Sequence, residues 1–201
     1  MRADAAPSLV VRWSVPAPTA PGDLRARRAA GRLASRAALA EAIEAWRAAF
    51  GVAPWQRAPV VHDAVGAPRF DHPESPPIAL AHTAGLGGAA IAMPGVRAAG
   101  IDAEPVDAPG AHALRRLAEG PGEAALAWGD AHWPLRLWCA KEAAVKAERA
   151  PADLLGRSLR IERVEQATAS GEQRVHVRSH LGNAISVCTA VAGAHVRAWT
   201  E

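Results

Sequence analysis

The sequence has almost no lysine, no tyrosine and few cysteines. Of its 23 lysines and arginines only Lys141 and Lys146 are lysines, and Cys139 and Cys188 are the only two cysteines in 201 residues. Two cysteines this far apart do not make a metal-spaced cluster, and a small buried thiol is the expected role of Cys139. Because arginine has replaced lysine almost everywhere, two lysines close together indicate a site that needs a compact, orientable ammonium group.

Aromatic residues and long apolar runs are scarce as well. Aromatics make up 4% of the chain, so alanine and valine must fill most of a core that the 50% hydrophobic content can support. No apolar run approaches the roughly 20 residues that span a bilayer, and no charged-then-apolar leader is present. We therefore expect a soluble, cytoplasmic protein with no membrane partner.

The charge balance is mildly basic and comes almost entirely from arginine. The formal net charge is +3 and the isoelectric point is about 9.5. This balance suits an acidic partner or a phosphate-bearing ligand, and it is far from that of a nucleic-acid-binding tail.

The stretch 138–146, Trp-Cys-Ala-Lys-Glu-Ala-Ala-Val-Lys, is the most informative part of the chain. Helical spacing places Trp138, Glu142 and Lys146 on one face, where a carboxylate and an ammonium are presented together. Lys141 lies off this face, so arginine should be tolerated better there than at Lys146. The alternative is an ordinary surface Glu–Lys pair. A second, apolar stripe can seat this helix in a core: Trp133, Leu137, Ala140, Ala144 and Ala147.

A second acidic feature lies at residues 100–104. The two-residue period of a strand places Asp102 and Glu104 on the same face, where their charges repel unless a cation lies between them. With Glu142 they would form an oxygen-only cage suited to Mg²⁺. The alternative is two solvated acids before a turn at Pro105.

Two features in the first half are suited to binding phosphate. The helical segment 24–50 carries an arginine stripe with three- and four-residue spacing, and a bound polyanion would relieve its repulsion. The alternative is a solvated helix face. A lone histidine is more often a core residue than a ligand, but His82 precedes Thr83 and a glycine-rich turn at 85–88, so phosphate contact and a buried core histidine stand as equal alternatives. The stripe consists of Arg25, Arg28, Arg32 and Arg36.

The order of predicted elements indicates an α+β fold. A strand at 9–15 and the helix at 24–50 precede strand-like segments at 59–70 and 89–93. In the second half, helical segments occupy 110–128, with an interruption at 120–122, and the region from 133. A small sheet follows at 158–164, 174–178, 185–191 and 195–199. The repeated order of strand, helix and strands suggests two similar lobes, 1–98 and 99–201.

Together these pieces resemble the 4′-phosphopantetheinyl transferases, specifically the larger monomeric type that acts on nonribosomal-peptide, polyketide and fatty-acid carrier proteins. Gly-Ile-Asp-Ala-Glu at 100–104 matches the family's glycine–aliphatic–Asp–x–Glu motif. The stretch 138–146 matches its Trp–x–x–Lys–Glu–Ala–x–x–Lys motif. Weaker matches extend over most of the chain, at 28–32, 66–68, 81–83 and 117–126.

The resemblance implies a fold and a division of labour. The fold would be α+β, with two similar packed α/β lobes related by pseudo-twofold symmetry. Lobe 1–98 would contact the adenosine and phosphates of coenzyme A, and lobe 99–201 would carry the metal and catalytic motifs. The enzyme would be a cytoplasmic monomer of secondary-metabolite biosynthesis whose partner is an acidic acyl or peptidyl carrier protein, with no nucleic acid.

The resemblance also implies residue roles. Asp102, Glu104 and Glu142 would hold Mg²⁺ on the diphosphate of coenzyme A, which is the substrate. Glu142 would act as the base, directly or through a water, and Lys146 would neutralise or protonate the leaving phosphate. The implied contacts to coenzyme A are Arg28, Arg32, Arg69, His82, Thr83 and Lys146.

Departures from the family pattern leave other functions open. Ala67 stands where the family's turn has lysine or arginine, so that contact would be missing or moved to Arg69 or Arg57. Arg149 stands where a glycine is expected, and Cys139 where the family has threonine or serine. These changes favour the alternative of a non-catalytic relative that binds coenzyme A or a carrier protein. A generic nucleic-acid-binding domain is a third hypothesis, disfavoured because the arginines do not cluster with exposed aromatics.

Overall fold

The computed structural model describes residues 8–16, 23–107, 110–127, 129–150, 158–179 and 181–201. The first half begins with strand β1 (Leu9–Ser14) and a long helix α1 (Leu24–Phe50). Four strands follow: β2 (Val60–His62), β3 (Pro68–Phe70), β4 (Ile78–Thr83) and β5 (Leu86–Ala92). β1, β5 and β4 form an antiparallel sheet in that order, and β2 and β3 form a separate hairpin.

Helix α1 has well-defined ends and packs closely on the sheet. The side chain of Asp23 accepts a hydrogen bond from the backbone N–H of Ala26 and caps the helix, which ends at Gly51 with a φ of 88°. At Gly87 a Cβ atom would collide with Ala34 and Ser35 of the helix, so only glycine permits this approach. The core beneath α1 contains Ala38, Leu39, Ala42, Trp46, Trp55, Phe70, Ile78, Ala89 and Ile91.

The second half places its helices on one larger sheet. It contains β6 (Ile101–Pro105), α2 (Ala111–Ala118), a 3₁₀ turn (Glu123–Ala127) and α3 (Trp133–Glu148). The remaining strands are β7 (Arg160–Val164), β8 (Gln173–Arg178), β9 (Ala184–Ala192) and β10 (His195–Thr200). The five strands are antiparallel in the order β6-β10-β9-β8-β7. The apolar stripe of α3 is buried against this sheet, and Leu137, Ala140 and Ala144 are 0% exposed.

A third apolar cluster joins the two halves. Trp13 and Trp199 pack against it at its edges. Strand β6 of the second half lies against β4 and β5 of the first, which brings the acidic strand next to His82 and Thr83. The cluster contains Leu9, Ala79, Ala81, Ala90, Ala92, Ala99 and Ile101.

The α+β fold class predicted from the sequence is confirmed. The helix expected at 24–50 has those bounds, and the strand-like segment 59–70 is the β2–β3 hairpin. The segment 110–128 is a short helix and a 3₁₀ turn; its last residue, Trp128, lies outside the described residues. Both cysteines are buried and unpaired, as expected for Cys139. None of the described helices has the length and apolar character needed to cross a bilayer.

Candidate functional site

The two strongest sequence motifs meet in the structure. Gly100, at the start of β6, lies so close to α3 that a Cβ atom there would collide with the carbonyl oxygen of Ala143. The first position of the 100–104 motif must therefore be glycine for α3 to pack at this distance. This contact places the side chains of β6 beside Glu142 and Lys146.

Lys146 reaches from α3 to the acidic strand. Its Nζ lies 2.7 Å from Oδ1 of Asp102 and donates a second hydrogen bond, at 3.1 Å, to the carbonyl oxygen of Ile101. Burial lowers the pKa of Lys146, but the carboxylates of Asp102 and Glu142 more than offset this and raise it above its ordinary value. Lys146 is therefore an ammonium at neutral pH.

Glu104 and Glu142 have strongly perturbed acidities. Burial, followed by the charges of Asp102 and Glu142, raises the pKa of Glu104 to about 7, against the opposing effects of Lys146 and a hydrogen bond with Thr83. Burial and the charge of Asp102 raise the pKa of Glu142 to about 7, with Lys146 opposing. Both groups are thus poised to exchange a proton near neutral pH, which is the property of a general base.

The donor chemistry at this point suits a hard divalent cation, although the side chains do not form a ready-made cage. Oδ2 of Asp102 is buried and has no hydrogen-bond partner among the described residues. The mutual repulsion that raises the pKa values of Glu104 and Glu142 is also what a bound cation would relieve. In the described part of the chain, however, no three His, Cys, Asp or Glu side chains are grouped so that they could hold a metal ion. Here Lys146 is the cation paired with Asp102.

A cleft of about 390 Å³ opens beside this cluster and is lined by both halves of the chain. Its size is that of a small-molecule site. The second half contributes Glu142, Val145, Lys146, Arg149 and Ala150. The first half contributes Arg32, Ser35, Arg36, His62, Val65, Gly66, Ala67, Pro68, Ile78, Ala79, Leu80 and His82. Acidic and basic groups therefore face the same space.

His82 and Thr83 lie where α1 crosses the end of β4. Gly31 favours this close crossing, since a Cβ atom there would lie 3.0 Å from the carbonyl oxygen of Thr83 and would crowd it. Partial burial and the positive charges of Arg32 and Lys146 lower the pKa of His82, and the charge of Asp102 opposes them. His82 is therefore neutral near pH 7 and can donate one hydrogen bond to a ligand.

The structure brings some of the predicted coenzyme A contacts to the cleft and leaves others outside it. Arg32, His82 and Lys146 line the cleft, and Thr83 reaches the site through Glu104. Arg28 is exposed on α1 and does not line the cleft.

Neither Arg69 nor Arg57, the expected replacements for a turn cation, lines the cleft. The guanidinium of Arg69 pairs with Asp71 at 3.5 Å. Ala67 does line the cleft, so this turn presents a methyl group there and no charge.

That arginine is tolerated better at Lys141 than at Lys146 stays a prediction, but the surroundings of Lys141 show that arginine there should cost stability. Lys141 is 0% exposed, and its Nζ donates to Oε2 of Glu123 at 2.8 Å and to the carbonyl oxygen of Ala118 at 2.6 Å. Glu123 also accepts hydrogen bonds from the backbone N–H groups of Gly120 and Ile161. This buried ion pair ties α3 to the 3₁₀ turn and β7, and a bulkier guanidinium does not fit such a closed site.

Cys139 has no catalytic role that the geometry supports. It is fully buried in α3, and burial followed by the neighbouring Asp102 and Glu104 carboxylates raises the pKa of its thiol well above the ordinary value. A neutral, enclosed thiol is a packing group.

Sequence reasoning missed three residues of interest: His62 and Arg149 in the cleft, and Glu123 as the partner of Lys141. For Arg149 a signal was present, because the residue departs from an expected glycine. No sequence pattern indicates a role for His62 or Glu123, because the contacts of both residues depend on the packing of elements that are distant in sequence.

No protein-family model matches this chain, and a search of curated proteins found no match. The chemistry of the cleft itself must therefore support any functional conclusion.

Proposed function

We propose that this protein transfers the 4′-phosphopantetheine group of coenzyme A to a serine of an acyl or peptidyl carrier protein. The observation that carries the proposal is the meeting of the two motifs beside one cleft. Asp102, Glu104, Glu142 and Lys146 interact there, beside a wall of basic residues from the other half. Glu142, one member of the carboxylate cluster, and several cations line the same cleft, which suits a ligand that carries both a metal-bound diphosphate and a further phosphate.

In the proposed reaction the serine hydroxyl attacks the β-phosphorus of coenzyme A. The bond to the bridging oxygen breaks, phosphopantetheine becomes attached to the serine, and 3′,5′-ADP leaves with the bond's electron pair. Glu142, which has a pKa of about 7 in the metal-free protein, accepts the serine proton directly or through a water. Lys146 remains an ammonium and neutralises charge on the leaving phosphate.

Asp102, Glu104 and Glu142 are the residues that would hold Mg²⁺. When bound, the metal would draw charge from the phosphoryl oxygens and orient the diphosphate. Without the metal, the ammonium of Lys146 supplies positive charge at Asp102. This charge reduces the repulsion among the three carboxylates, which would otherwise destabilise the folded protein.

The topology of the two halves supports the proposed family fold. In each half the first strand pairs with the last, which pairs with the strand before it, giving β1-β5-β4 and β6-β10-β9. In each half a long helix packs on that sheet, α1 in the first and α3 in the second. This correspondence is what two lobes related by pseudo-twofold symmetry would produce, with lobe boundaries at 1–98 and 99–201.

The proposed partner is an acidic carrier protein, and the proposed enzyme is a cytoplasmic monomer. Arg25 and Arg28 are exposed on α1 outside the cleft, and they offer positive charge to such a partner.

The test is release of 3′,5′-ADP, measured by chromatography after mixing the protein, coenzyme A, Mg²⁺ and an apo carrier protein. A carrier whose modified serine is replaced by alanine is the matched control. We expect nucleotide release with the wild-type carrier only. No release from either carrier would overturn the transferase assignment.

The second candidate is a relative that binds coenzyme A without transferring it. The observation that favours it is that Lys146 lies on Asp102 and no metal-ready group exists among the described side chains. Calorimetric binding of coenzyme A with no nucleotide release would support this candidate.

A further inference from the structure

The end of helix α3 has an unusual residue for its backbone conformation. Arg149 has φ 53° and ψ 35°, and it is the only non-glycine residue with positive φ among the described residues. Its backbone N–H donates to the carbonyl oxygens of Val145 and Lys146, a helix end at which glycine is strongly preferred. A side chain kept in a strained position at a functional cleft suggests that the side chain itself is used.

Asp63 holds this side chain from the other half of the molecule. Oδ2 of Asp63 lies 3.3 Å from Nη1 of Arg149. Oδ1 of the same residue accepts hydrogen bonds from the N–H groups of Val65 at 3.0 Å and Ala67 at 2.9 Å. Asp63 therefore stabilises the turn between β2 and β3 and at the same time holds the guanidinium of Arg149.

Arg149 lies at the end of α3, well separated along the helix from Glu142. It follows Glu142 by seven residues on the cleft-facing side of α3, which corresponds to about 10 Å along the helix. Arg32 and Arg36 of α1 line the same cleft, and neither has an acidic partner among the described residues. Three guanidinium groups in one cleft, with only Arg149 paired, suit a doubly charged phosphate monoester.

We infer that Arg149 reads the 3′-phosphate of coenzyme A, and that Asp63 is its positioning residue. This inference rests on the proposed function, which places the diphosphate at the carboxylate cluster. The 3′-phosphate is the group of this ligand that lies apart from the diphosphate. Ala67 presents no charge to it, so the cation comes from the end of α3.

The experiment compares ligands that differ only in the 3′-phosphate. Binding of 3′,5′-ADP and 5′-ADP is measured by calorimetry, and KM and kcat are measured with coenzyme A and dephospho-coenzyme A. The variants are Arg149→Gly, Arg149→Gln and Asp63→Asn. The matched control is Arg178→Gln, because Arg178 forms an ion pair of the same side-chain exposure, 43%, and does not line the cleft.

Wild type should bind 3′,5′-ADP more than about tenfold tighter than 5′-ADP, the preference expected from charge-assisted contact to one phosphate. Arg149→Gly and Arg149→Gln should remove most of this preference by weakening 3′,5′-ADP binding alone. With coenzyme A they should raise KM with little change in kcat. Asp63→Asn should weaken the preference partly, and Arg178→Gln should leave it unchanged.

The melting temperature separates this role from a structural one. Arg149→Gly relieves the left-handed strain, so its Tm should equal or exceed that of wild type while the phosphate preference is lost. A lowered Tm with the preference intact would overturn the inference.

The outcomes also separate this inference from the proposed function. If wild type transfers phosphopantetheine but Arg149→Gly keeps the preference, Arg149 does not read the phosphate and the transferase assignment stands. If no transfer occurs but the preference exists and depends on Arg149, the inference stands as ligand binding and the transferase assignment fails. If neither nucleotide binds and no transfer occurs, both are overturned.

Discussion

The raised pKa values of Glu104 and Glu142 lead to a specific prediction about stability. The metal-free protein should become less stable as pH rises from about 5 to about 8, and Glu142→Gln should remove much of that loss. The variant replaces a charged group with a neutral one of nearly the same shape, so packing is preserved.

The sign and size of this pH effect follow from the pKa of a glutamate in the unfolded chain and in the folded protein. A glutamate that titrates at 4.5 in the unfolded chain titrates at about 7 here, so the folded protein holds the proton more tightly. The folded state is therefore favoured at pH values below 4.5, loses stability through the interval between the two values and has lost the full amount above pH 7. A shift of this size in one group corresponds to about 3 kcal/mol, and water in the cleft screens part of it, so about 1–3 kcal/mol is expected.

The assay is urea unfolding at about pH 5 and about pH 8, with and without Mg²⁺. Glu142→Gln should match wild type at low pH and exceed it at high pH, and Mg²⁺ should stabilise wild type more than the variant. Glu162→Gln is the control: Glu162 is exposed and its hydrogen bond with Arg178 lowers its pKa, so this variant should gain nothing at high pH. Equal pH dependence in wild type and Glu142→Gln would refute the reasoning.

Three further substitutions test individual contacts. Lys146→Arg should lower kcat by more than about tenfold, since a guanidinium cannot take the place of an ammonium that contacts both Asp102 and a backbone carbonyl. Steady-state kinetics measures this, and an unchanged kcat would show that the reaction does not require an ammonium at position 146. Lys141→Met should lower the free energy of unfolding by about 3–5 kcal/mol by leaving Glu123 buried and unpaired, and a loss below about 1 kcal/mol in urea unfolding would contradict that. Gly100→Ala should lower both Tm and transfer, because the added methyl collides with α3; a Tm equal to that of wild type would mean that the helix moves freely.

Local sequence patterns predict most of the secondary structure of this chain. The cap and length of α1, the two-residue period of the strands and the apolar stripe of α3 are each local properties. The same holds for Asp102 and Glu104, whose shared face follows from strand geometry alone.

Long-range contacts account for what the sequence could not predict. Helical spacing places Lys141 off the face of Glu142 and Lys146 but says nothing of Glu123, which arrives from a separate turn to pair with it. The pairing of Lys146 with Asp102 depends on the close packing of α3 at Gly100. Arg149 lines the cleft and pairs with Asp63 of the other half, a contact that no local pattern predicts.

The central claim is tested most directly by the intact mass of an apo carrier protein after incubation with this protein, coenzyme A and Mg²⁺. The proposed function predicts a mass increase equal to one phosphopantetheine group per carrier. The increase should be absent without Mg²⁺ and strongly reduced with Glu142→Gln. An unchanged carrier mass with a folded protein that binds coenzyme A would contradict the transferase assignment.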